Sequence, residues 1–74
     1  MIEPVRFTNG ELLEEIASLE EILESNWKSI ERLTERSMIA ETAPIAEMGI
    51  RHEQRLLSLY REFFRRFQDV VEPA

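Results

Sequence analysis

The apolar residues of this chain fall on heptad lines. In the second half one line reads Ile45, Gly49, His52, Leu56, Leu59, Phe63, Arg66 and Val70. A second, one residue on, reads Ala46, Ile50, Glu53, Leu57, Tyr60, Phe64, Phe67 and Val71. Both advance in alternating steps of four and three, the spacing with which a helix offers one seam to one partner helix. Two adjacent seams therefore predict a helix with two partners. The first half carries one full seam: Leu12, Ile16, Leu19, Leu23, Asn26, Ile30, Leu33, Ser37 and Ala40, with Leu13, Ile22 and Trp27 widening its apolar face. The chain thus offers one other long helix, and the second partner is expected from another molecule.

Local signals place the boundaries. Residues 1–8 read as a lead and cap, because Pro4 cannot continue into a helix interior. Thr8-Asn9-Gly10-Glu11 has the form of a capping box, flanked by Phe7 and Leu12 at the positions of a hydrophobic staple. The first helix is expected over residues 9–40. Residues 41–44 are the expected turn, since Pro44 disfavours helical geometry at Ala43. A single kinked helix is the rival, but an interior proline costs ~3 kcal/mol or more. The second helix is expected over residues 45–71, with Pro44 in its first turn and residues 72–74 as a frayed tail. A short connection makes the two helices antiparallel neighbours. Folding at Pro44 sets Asn26 level with Tyr60, His52 level with Leu33, and Gly49 near Ser37. The tetrapeptide Leu-Glu-Glu-Ile occurs at 13–16 and 19–22, but an offset of six residues turns the copies to different faces.

Size sharpens the demand for a partner. At 74 residues the chain forms one domain, and cores below ~70–80 residues usually need a staple. There is no cysteine, so oligomerisation is the remaining common one. No apolar run approaches the ~20 residues of a membrane span. Residues 1–10 lack a basic segment followed by an apolar core, so no signal peptide is expected and the chain is read as cytoplasmic. The net charge of −6 argues against direct binding to nucleic acid, which requires a basic face. The charge is uneven. Glu11, Glu14, Glu15, Glu20, Glu21 and Glu24 follow one another with no basic residue between them, whereas Arg51, Arg55, Arg61, Arg65 and Arg66 lie in the second half. A hairpin would set the last three arginines beside the acidic start of helix one.

Few residues invite chemistry. His52 is the single histidine. A bundle metal site would pair it with carboxylates on facing helices, but the Glu-x-x-His spacing is absent, and a histidine satisfied within a core or interface is the simpler reading. Glu53 interrupts an apolar seam, either at a solvated rim or as a device that fixes register or partner choice. Asn26 could fix register by a hydrogen bond across the hairpin. A helical glycine such as Gly49 costs ~1 kcal/mol relative to alanine, which points to a packing reason or marks flexibility. The glutamate run could mimic a phosphate backbone, although such runs are more often solvated faces. Phosphate-binding loops, nucleophile elbows and zinc patterns are all missing.

The expectation is an all-α antiparallel two-helix hairpin that pairs into a four-helix bundle. The expected role is a non-enzymatic protein–protein interaction module, a regulator, adaptor or assembly subunit acting as a homodimer, with no cofactor and no metal. Its candidate interface residues are Trp27, Ile50, Glu53, Leu57, Tyr60, Phe64, Phe67 and Val71, of which the aromatics are the natural hot spots. A helical subunit or chaperone completing a hetero-oligomer, and an acidic nucleic-acid mimic, are the alternatives.

Overall fold

The computed structural model describes the backbone of residues 3–71 and the side chains of residues 3–68. Two helices, α1 (Asn9–Glu35) and α2 (Thr42–Val71), form an antiparallel hairpin. Short 3-10 turns at Pro4–Arg6 and Ile39–Glu41 precede them. The expected tail, residues 72–74, lies outside the described residues.

The start of α1 is built as its sequence demands. The Glu11 amide donates to the Thr8 hydroxyl at 3.2 Å, and the Thr8 amide donates to the Glu11 carboxylate at 2.9 Å. The Thr8 amide, and then the Thr8 hydroxyl, hold the Glu11 carboxyl below its usual range. Both bonds satisfy amides that a helix start otherwise leaves without partners. Phe7 completes the staple by packing against the core that holds Leu12.

The reversal lies upstream of its expected place. Helix α1 ends at Glu35 rather than near Ala40, and α2 begins at Thr42 rather than after Pro44. Ser37 adopts a left-handed conformation with φ of 60°. Its amide donates to the Thr34 carbonyl at 3.0 Å, and the Met38 amide donates to the Leu33 carbonyl at 2.8 Å. This pair of bonds is a Schellman motif, which closes the helix on its own last carbonyls. Residues 41–44 are therefore helical rather than a turn. Proline forbids a helix interior but not a first turn, where the amide it lacks would have had no acceptor. Pro44 thus requires a break somewhere before it, not at it. The Thr42 hydroxyl donates to the Ile39 carbonyl at 2.6 Å and joins the 3-10 turn to α2.

Moving the reversal shifts the register of the hairpin by about two turns. Tyr60 stands level with Glu20 rather than Asn26, and its hydroxyl donates to the Glu20 carboxylate at 2.7 Å. Gly49 lies among Asn26 and Ile30 rather than near Ser37. A methyl group built on Gly49 would meet no atom within 4 Å, so close helix approach is not what this glycine provides.

The seam of α1 faces α2 as far as Leu33. Leu12, Ile16 and Leu19 are buried, and Leu23, Asn26, Ile30 and Leu33 are half-buried. Across from them lies the stripe that begins at Ile45, with Leu56 and Leu59 buried. Leu12 and Leu59 are wholly enclosed. Phe7, Leu23 and Phe63 lie against this core, so it sits at the end of the hairpin where the lead meets α2. The stripe that begins at Ala46 faces outward.

Candidate interaction face

The outward stripe runs the length of α2. Ile50 is 56% exposed, Leu57 48%, Tyr60 41% and Phe64 63%. In an antiparallel pair, the residues one step beyond the core positions of each helix share a flank. On α1 these are Leu13, Glu20 and Trp27, and the Tyr60–Glu20 hydrogen bond confirms that the two sets meet. Leu13 and Trp27 are exposed, so they extend the apolar face of α2 onto α1.

Toward the reversal this face deepens into a groove of about 320 Å³. Asn26, Trp27 and Ile30 form one wall, and Ala46, Gly49 and Ile50 form the other. Glu53 stands at its rim and is exposed. The absence of a side chain at Gly49 keeps the groove deep. The amide nitrogen of Asn26 is shielded from solvent and has no acceptor among the described residues. An unpaired buried donor costs ~1–3 kcal/mol, so Asn26 does not supply the cross-hairpin bond expected of it.

The candidate residues thus gather on one face, with differences. Trp27, Ile50, Glu53, Leu57, Tyr60 and Phe64 are exposed on it. Phe67 is half-buried, its ring 4.6 Å from that of Phe63. The side chain of Val71 lies outside the described residues. Tyr60 is tied down, and its bond to the Glu20 carboxylate raises the pKa of the phenol.

A second cluster was not foreseen. Arg66 interrupts the inward stripe and clamps the lead. One terminal nitrogen donates to the carbonyls of Pro4 and Val5 at 3.2 Å and to that of Phe7 at 2.6 Å. The other donates to the Asn9 side chain at 3.0 Å, and Nε donates to Glu62 at 2.6 Å. Glu62 also takes a two-pronged bond from Arg65. Between these two guanidiniums the Glu62 carboxyl is lowered to about 2. The signal in the sequence was a cation set in an apolar stripe, which demands acceptors close by. The arginines do not pair with the acidic start of α1 as expected; Arg65 and Arg66 turn to Glu62 on their own helix. Arg55 lies 5.8 Å above the ring of Phe7.

Three of the six clustered glutamates are used within the hairpin: Glu11 in the cap, Glu20 by Tyr60, and Glu24 by Lys28 at 3.3 Å. His52 is half-buried, and among the described residues no three His, Cys, Asp or Glu side chains gather as a metal site would need. No described helix is long and apolar enough to cross a membrane. Comparison with protein-family models, with curated proteins and with solved structures finds no match.

Proposed function

We propose that the chain is a small non-enzymatic interaction module that works as a homodimer, two hairpins closing a four-helix bundle through the outward stripe of α2. The observation that carries this reading is the uncovered stripe itself, joined by Trp27 and Leu13. Contiguous apolar faces rimmed by polar groups are the usual mark of a docking surface.

The dimensions support it. The chain extends over 53 × 25 × 16 Å with a radius of gyration of 15.8 Å, against ~11 Å for a compact domain of this length. It exposes 5916 Å², where a compact monomer of its mass would expose ~4,800 Å². The excess of about 1,100 Å² is comparable with the ~800 Å² that one partner buries in a stable complex. A second identical hairpin, carrying the same uncovered stripe, is the simplest cover for it.

Light scattering during gel filtration tests the proposal, with the expected mass twice the chain's 8.8 kDa. Leu57→Asp and Phe64→Asp should each shift the protein to monomers or unfold it. A concentration-independent, well-folded monomer would refute the dimer. If that monomer captured a different protein through the same face, the module would serve a hetero-complex instead.

A further inference from the structure

The outward stripe carries information about how a second copy would lie on it. Its solvent-side border on α2 consists of Glu47, Gln54, Arg61 and Gln68, seven residues apart. The two charged members have opposite signs, and neutral residues separate and follow them. Glu47 holds only the exposed Arg51 on its own helix, at 3.2 Å. Arg61 is exposed and has no ion-pair partner among the described residues. Fourteen positions along one helix span about 21 Å, so Glu47 and Arg61 of one chain cannot meet.

A twofold contact changes that. When two identical helices pack antiparallel about a twofold axis, residue i meets residue j and residue j meets residue i. An axis at Gln54 sets Glu47 against Arg61 of the second copy, and does so twice. An axis at Arg55, one residue away, sets Ala46 against Phe64 of the second copy. Both pairings belong to one register. They match in shape as well as in charge. Phe64 is the most exposed aromatic on α2, and Ala46 and Gly49 leave the groove open beneath it.

We propose that a second copy of this chain docks in this single register, its Phe64 entering the groove over Ala46, Gly49 and Ile50 while its Arg61 pairs with Glu47. The inference rests on the dimer proposed above and specifies its geometry. The groove then serves as the receptor for an aromatic anchor, and each copy both gives and receives one. In this register Glu53 lies opposite Leu57 of the second copy, next to the axis and about two turns from the entering ring.

The absence of cysteine makes the register directly measurable. Ile50→Cys with Tyr60→Cys, which face each other in this register and leave Phe64 in place, puts two thiols ~15 Å apart on one helix, so a disulfide between them must join two chains. Under mild oxidation at low protein concentration this pair should give a covalent dimer rapidly. The control, Leu57→Cys alone, demands an axis at Leu57 and displaces the opposing thiol by about 6 Å, beyond the usual reach of a disulfide; it should cross-link slowly. Charge reversal provides a second readout. Glu47→Arg and Arg61→Glu should each raise the dimer Kd about three- to thirtyfold, and the double reversal should restore most of it. A dimer that cross-links faster through position 57, or that the double reversal fails to rescue, overturns the register and leaves the dimer standing. A protein that stays monomeric overturns both.

Discussion

At the scale of the residue, Arg66 shows how a polar interruption of a seam is resolved. A guanidinium between two helices is costly unless its donors are matched. Here the lead supplies three acceptors, Asn9 a fourth and Glu62 a fifth. Arg66→Ala should therefore destabilise the hairpin by ~2–4 kcal/mol and expose the amides around Phe7 to rapid hydrogen exchange. Arg66→Lys should recover little of the loss, because a single ammonium cannot fork to the same set. Glu62 adds a pH dependence. Its carboxyl sits at about 2, against an ordinary value of 4.5, because Arg65 and Arg66 donate to it. A lowered folded-state value means that the unfolded chain takes the proton first. The stability Glu62 contributes is then complete above pH 4.5 and is lost as pH falls toward 2. Thermal melts of the wild type and Glu62→Gln should differ at pH 7 and converge by pH 2; parallel curves would show that the carboxylate is not so held.

At the scale of the element, the reversal at Ser37 sets which residues of α1 and α2 meet. A left-handed serine costs ~1–2 kcal/mol that glycine would not. Ser37→Gly should accordingly stabilise the hairpin by about 1 kcal/mol, and Ser37→Val should destabilise it, both read from chemical denaturation. The two stripes of α2 should also respond differently. Leu59 is wholly enclosed, so Leu59→Ala should cost ~2–5 kcal/mol of folding free energy. Leu57→Ala, one turn of thought away but on the outward stripe, should leave the hairpin's own packing intact and weaken association instead.

At the scale of the whole molecule, the hairpin is an elongated object with its dry core at one end. Five residues make up that core, with Phe7, Leu23 and Phe63 packed around it. A protein of this size gains much of its stability from whatever covers its remaining apolar face. The melting temperature should therefore rise with protein concentration across the range in which dimers form. A melting temperature unchanged over a hundredfold range would argue that the hairpin folds without its partner.

The start of α1, the seam from Leu12 to Leu33 and the two stripes of α2 were legible because each depends on contacts within a few residues or on helical period alone. Thr8, Glu11 and Phe7 lie close enough in sequence to specify one another. The turn was misplaced because proline excludes only its own surroundings, whereas the Schellman motif at Ser37 carries no glycine to announce it. With the turn moved, the register followed, and Tyr60 met Glu20 instead of Asn26. Which stripe faces inward could not be read from hydrophobicity, since the more apolar stripe is the one left outside. Tertiary structure decided it by where the polar interruptions could be satisfied. The inward stripe brings Arg66 to the carbonyls of the lead, while the outward one leaves Glu53 exposed on the single hairpin. The sequence by itself determined two helices and three seams; only the fold decided which seam was left over, because that choice depends on acceptors about sixty residues away.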